Sequence, residues 1–373
     1  MLDGKRPMKY CNYCFNAEDK FDQESPRHHK NYQFITNNFD DVRGALESTT
    51  ADGTIEFKLR YYDIRFSNIC NLKCRTCGPD LSSTWAAETH AHSEHGLSNY
   101  PLIKKNGIIK INDISKNILD EILEDDTLKS LRQVYFAGGE PLVSGEHYKI
   151  LEGLIRVGNT DVKLMYNTNF TKLAYAGTDV LDLWSHFPYL HVGTSIDDVG
   201  ARLFYTRSGA IWQDVVENFK QFNARINDSQ LKIYNSITVS IFNIFYLPEI
   251  ISQFYELNLV STRNDFSIHL NMVFDPEYFA VTTLPAHVKP YITSMLTDFV
   301  QRYDFKNEKL KVHIQDKMQY VIDLMNSKDT SSLLPIMAEK IAEFDLIRNE
   351  DFANVFPEAN KYLKLEQYVN NHS

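Results

Sequence analysis

No run of 18 or more apolar residues occurs in this sequence, and its N-terminus, Met-Leu-Asp-Gly-Lys-Arg-Pro, carries no apolar signal region. These absences indicate neither a membrane span nor secretion, and they point to the cytoplasm. There is no internal repeat and no low-complexity tract. Cysteine is scarce, five in 373 residues, and three of the five fall between positions 70 and 77. That distribution is no secreted disulfide framework and suits a reducing compartment where thiolates stay available for metal. Positive charge is in deficit: the formal net charge of −10 disfavours a broad nucleic-acid surface while leaving a local basic groove open.

What is present begins with 43% hydrophobic and 24% charged residues, enough for a globular chain with a full core and two or three structural parts. The aromatic residues, 13% of the chain, fall largely in apolar segments and read as core filling. The concentrated thiols lie in Ser67-Asn-Ile-Cys-Asn-Leu-Lys-Cys-Arg-Thr-Cys-Gly-Pro79. Closed structural zinc needs four protein ligands, whereas Cys70, Cys74 and Cys77 supply three, with no following histidine until His90. An iron-sulfur cube also takes four cysteines as a rule; held by three, it leaves one iron free.

Six segments have strand character: 58–66, 132–137, 162–168, 190–196, 232–241 and 266–273. Between them, Ile118, Leu119, Ile122 and Leu123 make one helical apolar face, Tyr148, Leu151, Leu154 and Ile155 a second, and Val215, Val216, Phe219 and Phe222 a third. Pro248-Glu249 opens a fourth helix. Alternating strands and amphipathic helices predict an α/β fold of parallel β/α units, an open partial (β/α)6 barrel with working loops at the strand C-terminal ends. Helices are predicted at 288–303, 311–325 and 333–344, with another ending at Val369. The expected organisation is an N-terminal segment over 1–55, a barrel over 56–280 and a helical C-terminal extension over 281–373.

The cysteine loop follows the first predicted strand, and Tyr135-Phe-Ala-Gly-Gly-Glu-Pro-Leu142 ends the second. Two glycines there allow close backbone approach. CxxxCxxC followed one β/α unit later by Gly-Gly-Glu-Pro resembles the radical S-adenosylmethionine (SAM) enzymes over about residues 57–275. Thr76 departs from the aromatic residue often found before that family's last cysteine. The resemblance implies a [4Fe-4S] cluster on Cys70, Cys74 and Cys77. It also implies SAM held by Gly138, Gly139 and Glu140, by Asn169 of Asn167-Thr-Asn169, by Ser195 and Asp197 of Ser195-Ile-Asp197, and by Arg207 and Asn243. The implied reaction is reductive cleavage of SAM to methionine and a 5′-deoxyadenosyl radical that abstracts hydrogen from a substrate. A reductant such as flavodoxin or ferredoxin is implied with it. Asn and Asp at strand ends are also common turn formers.

Cys11-Asn-Tyr-Cys14, with Glu18 and Ser25-Pro-Arg27, resembles the last part of a twitch or SPASM-like segment, which binds an auxiliary cluster. The upstream half is missing, and two thiolates cannot close a cube. A shortened gene product, a metal site completed by His28, His29 or another chain, and a free thiol pair are the competing readings. His90, His92 and His95 do not share one helix face and read as a solvated helix end. Relatives with such segments often modify peptides or proteins, so the resemblance makes a polypeptide the first expectation for substrate. Aromatic rings in Phe274-Asp-Pro-Glu-Tyr-Phe279 either line the substrate mouth or pack. The rival classes are a non-enzymatic zinc- or cluster-binding interaction module and an inactive barrel.

Overall fold

The computed structural model describes Phe15, Glu18 and residues 25–56, 58–92, 116–226, 232–260 and 267–369. Cys11, Cys14 and His95 lie outside the described residues. The chain divides into two compact units, Met1–Arg60 and Tyr61–Ser373. In the first, helices Pro26–Asn37 and Phe39–Ser48 follow one another, and the Ser25 hydroxyl caps the former by accepting the His28 N–H at 3.3 Å.

The second unit is built on six parallel strands in sequential order: β1 Tyr61–Ile64, β2 Gln133–Phe136, β3 Lys163–Thr168, β4 Leu190–Thr194, β5 Lys232–Val239 and β6 Ile268–Met272. Every predicted strand forms, and among the described residues β1 does not pair with β6, so the barrel is open. Parallel neighbours require crossovers, which the amphipathic helices supply, among them Gly145–Arg156, Trp212–Arg225 and Leu247–Glu256.

Alternation along each strand separates two faces. Val134, Phe136, Leu164, Tyr166, Leu190, Val192, Ile233 and Ile237 are buried in the core. Their neighbours Tyr135, Lys163, Met165, His191 and Tyr234 face the concave side and are only partly buried. At roughly 25 cal/mol per Å² of apolar surface, the buried face stabilises the sheet while the concave face is left for other uses.

The C-terminal residues form helices Lys289–Arg302, Glu308–Ser327 and Leu334–Arg348, and a last short one, Glu366–Val369. They belong to the same compact unit as the barrel. In the 274–279 segment, Phe274 is exposed while Phe279 is fully buried 4.7 Å from the Phe242 ring. The two ends of that aromatic stretch therefore have different environments.

Candidate functional site

The cysteine loop leaves β1 and is tied down along its length. Lys73–Cys74 pairs antiparallel with Arg207–Ser208, and the Arg75 N–H donates to the Thr206 carbonyl at 2.9 Å. The Ser82 hydroxyl donates to the Leu72 carbonyl at 2.6 Å and accepts from the Trp85 N–H at 3.2 Å, so it also caps helix Ser83–Ala91. Trp85 Nε1 then donates to the Cys74 carbonyl at 2.8 Å. His92 caps the far end of this helix.

Arg75, between the second and third cysteines, points away from the thiols and is fully buried. Its guanidinium lies 3.5 Å from the centre of the Tyr205 ring, donates to Asp345 at 2.9 Å and also to Glu350. Arg348 donates to the Lys73 carbonyl at 3.1 Å and to Glu88 at 2.7 Å. Helix Leu334–Arg348, with Glu350 just beyond it, thus holds the back of the cysteine loop through charge-assisted hydrogen bonds.

Gly138 and Gly139 both have positive φ, +72° and +48°. A Cβ on Gly139 would stand 2.3 Å from the Ile69 carbonyl oxygen, and the next N–H, of Glu140, donates to that same oxygen at 2.7 Å. Close approach is needed here for the cysteine loop itself, which the glycine turn underlies. The buried Glu140 carboxylate accepts from the Leu142 N–H at 3.0 Å, the Thr168 hydroxyl at 2.6 Å and the Asn169 N–H at 2.6 Å. Burial pushes its pKa up, against the pull of these three donors. Glu140 therefore fastens the end of β2 to the end of β3.

Asn169 Nδ2 donates to Asn71 at 3.0 Å and approaches the Cys70 sulfur at 3.9 Å. The Ser195 N–H donates to the Thr168 carbonyl at 2.7 Å. Asn235, buried on β5, clasps Ile196 through both N–H and carbonyl, which fixes the turn presenting Ser195. Arg207 donates through Nε to Asp197 at 2.7 Å and brings Nη1 within 3.7 Å of the Cys74 sulfur. The carboxylate this guanidinium holds is thus Asp197, the chain's own.

One cavity of about 240 Å³ is lined by Cys70, Cys74, Cys77, Gly138, Gly139, Glu140, Asn169, Ser195 and Arg207, together with Arg65 and Asn167. Asp197 and Asn243 are not among its lining residues. Asn243 is fully buried: its Nδ2 donates to the Asp197 carbonyl at 2.8 Å and to the Thr238 carbonyl at 3.0 Å, and its Oδ1 accepts the Ser240 N–H at 2.9 Å. It supports Asp197 from behind. Clefts of about 310 and 320 Å³ lie elsewhere, and none of their lining residues is a thiol.

The donor chemistry of the cavity suits a cationic guest. Burial, then the neighbouring Cys74, pushes the Cys70 and Cys77 thiols up to about 12. Burial raises Cys74 too, and Arg207 opposes it. Three thiolates would repel one another here without positive charge to hold them. Among the described residues, no group of three or more His, Cys, Asp or Glu side chains is gathered closely enough to hold a metal ion. The three sulfurs share a cavity without converging on one point, and a cluster that takes each thiolate at a different iron does not require such convergence.

Sequence reasoning missed Arg75, Arg348 and the Asp345–Glu350 pair. A charged residue between cysteines reads as solvated, and no local pattern announces partners about 270 residues away. Asn71, which donates to the Thr171 hydroxyl at 2.9 Å, was legible only as part of the cysteine loop.

No protein-family model matches this chain, and no curated protein matches it. Among solved structures it is similar to native anSMEcpe with bound AdoMet, at 18% identity and a TM-score of 0.42, over 64% of this chain and 59% of that one. It is also similar to Streptococcus suis SuiB bound to S-adenosylmethionine, at 12% identity and a TM-score of 0.37, over 79% of this chain and 57% of that one. SuiB bound to precursor peptide SuiA aligns at 14% identity and a TM-score of 0.39, over 78% of this chain and 58% of that one. The matched regions span about three-fifths of the length of each of these proteins.

Proposed function

We propose that this chain is a radical SAM enzyme acting on a peptide or protein. The observation that carries the reading is the shared cavity: three cysteines at CxxxCxxC spacing and a Gly-Gly-Glu turn, 61 or more residues apart, line one space at the C-terminal end of a parallel sheet. Ligand sites in parallel β/α folds occupy that end.

Cys70, Cys74 and Cys77 would hold a [4Fe-4S] cluster, which together with SAM supplies one-electron cleavage of the sulfonium and a carbon radical able to abstract hydrogen. The chain's own residues bind and orient. Gly138 and Gly139 let the β2 exit lie against the loop, Asn169 and Ser195 offer an amide and a hydroxyl to the cofactor's polar groups, and Arg207 places positive charge beside Cys74. Asp197 and Asn243 act behind them, keeping Arg207 in place. Flavodoxin or ferredoxin fits the role of reductant, and the cytoplasm the compartment. Among the described residues no helix is long and apolar enough to cross a membrane. In this reading the first 55 residues correspond to the last part of a twitch- or SPASM-like segment, and residues 281–373 to a helical extension.

Anaerobic reconstitution tests the proposal. The protein should take up iron and sulfide, and after reduction with SAM it should release 5′-deoxyadenosine, which disappears on Cys74→Ala. Stoichiometric zinc with no cluster absorbance would instead support a zinc-binding module and end the enzyme reading.

A further inference from the structure

The concave face of the barrel carries a basic group well below the cysteine cavity. On β3 the buried residues are Leu164, Tyr166 and Thr168, so Lys163, Met165 and Asn167 face the other way. On β5, Ile233 and Asn235 are buried, and Lys232 and Tyr234 share the concave face. His191 of β4 stands in register with Met165 on one side and with Lys232 on the other. Lys163, His191 and Lys232 therefore come from three adjacent strands onto one patch.

This patch has no counter-charge among the described residues. Among the described residues neither lysine ammonium nor the His191 ring enters a side-chain hydrogen bond or an ion pair. The charges that bear on His191 are Lys163 and Lys232, and the charge that bears on Lys163 is Lys232. The acid facing the barrel interior from β1, Asp63, is engaged by Arg65 at 3.4 Å. Asp161, just before β3, is exposed. In a chain of net charge −10, two lysines gathered beside an imidazole with no acid on the patch among the described residues concentrate positive potential, while burial, then Lys163 and Lys232, lowers His191 to about 4 and leaves it a neutral hydrogen-bonding ring.

The patch is also continuous with the cavity. Gly193 of β4 has no side chain, and a Cβ there would meet the Tyr234 hydroxyl at 2.7 Å and Asn167 Oδ1 at 2.9 Å. The Tyr234 ring consequently lies across β4 beside Asn167, with the His269 ring 4.8 Å away. Asn167 lines the cysteine cavity. An aromatic floor thus runs from the basic patch to that cavity, roughly 13 Å along β3 at about 3.3 Å per residue.

We propose that Lys163, His191 and Lys232 form an oxyanion-binding subsite that anchors a carboxylate or phosphate of the substrate. Its reacting portion would extend over Tyr234 to the cavity mouth. The inference rests on the proposed radical SAM reading for the identity of the reacting end, and the oxyanion subsite is testable without turnover.

The test is equilibrium binding to the reconstituted full chain in the absence of reductant, using two probes: a fluorescent hexaglutamate peptide and inorganic pyrophosphate as its competitor. The peptide should bind with salt-dependent affinity. Lys163→Gln and Lys232→Gln should each weaken binding about fivefold or more, the double variant should abolish it, and Lys149→Gln on the exposed face of helix Gly145–Arg156 should leave it unchanged. Pyrophosphate outcompeting the peptide at equal charge assigns the subsite to phosphate, and the reverse assigns it to carboxylate. Absence of binding by both probes, or binding indifferent to the double substitution in variants with unaltered melting temperature, overturns the subsite. Loss of 5′-deoxyadenosine production with probe binding intact counts against the radical SAM reading alone.

Discussion

Arg75 and Asp345, 270 residues apart in sequence, meet at 2.9 Å in an ion pair behind the cysteine loop, the guanidinium fully buried and the carboxylate mostly so. The Tyr205 hydroxyl donates to the same Asp345 oxygen at 2.7 Å, and the other oxygen accepts the Phe352 N–H at 2.7 Å. Removing one partner of such a pair leaves an uncompensated charge in the interior. Arg75→Leu should therefore lower unfolding stability by about 3–5 kcal/mol. Chemical denaturation measures this, and a loss below about 0.5 kcal/mol would show that the pair is dispensable.

The two glycines of the β2 exit should respond differently to alanine. At Gly139 the added Cβ would meet backbone, the Ile69 carbonyl at 2.3 Å, whereas at Gly138 it would meet the Arg65 side chain at 2.8 Å. The Arg65 atom is its Cβ, which moves only with its own backbone, but the overlap at Gly138 is the smaller of the two and involves one residue, whereas at Gly139 it involves the carbonyls of both Ile69 and Ser67. Gly139→Ala should thus destabilise by about 1–3 kcal/mol and impair iron uptake, with Gly138→Ala milder in both. Iron and sulfide content per chain, read beside thermal melting, checks the order; a reversed order contradicts the packing argument.

Asn243→Ala separates support from contact. The substitution removes two donors and an acceptor from buried backbone groups, a loss of about 1–3 kcal/mol. On the proposed radical SAM reading, the SAM dissociation constant, measured well below the melting temperature, should stay within about twofold of the parent. A tenfold loss of SAM affinity with unchanged melting would place Asn243 against the cofactor.

His147 gives a pH signature. Its Nε2 lies 2.9 Å from the Tyr166 hydroxyl among the rings of Phe136, Tyr148 and Tyr166, and burial lowers its pKa from 6.5 to about 3. The unfolded chain binds this proton below 6.5 and the folded chain does not. The stability contributed by neutral His147 is therefore present above pH 6.5 and falls as pH drops toward 3, with a limiting slope of about 1.4 kcal/mol per pH unit. His147→Leu should flatten the acid limb in that window, a comparison that melting temperatures from pH 4 to 7 decide.

The residues that could be read from sequence and those that could not differ in a physical way. Each barrel strand is a local run of β-branched or aromatic residues whose alternation reports its own burial, so all six were legible. The cysteines and Gly-Gly-Glu could be singled out because their spacing along the chain is distinctive, and the structure brings them to one cavity. Arg75 was not, because its burial is decided by Tyr205, Asp345 and Glu350, which only the completed fold brings to it. Gly139 was legible as a close-approach position, while the partner it approaches, the Ile69 carbonyl, depends on how the loop crosses the strand end.

The short pairing of Lys73–Cys74 with Arg207–Ser208 bears on how far the thiol motif can travel outside this molecule. A synthetic peptide spanning residues 67–79 would carry all three sulfurs at their native spacing, yet it would leave behind Arg207, the Thr206 carbonyl, Trp85 and the acids that grip Arg75. Such a peptide could gather iron, but the direction in which each sulfur points belongs to the barrel, so the motif cannot be grafted as a cassette.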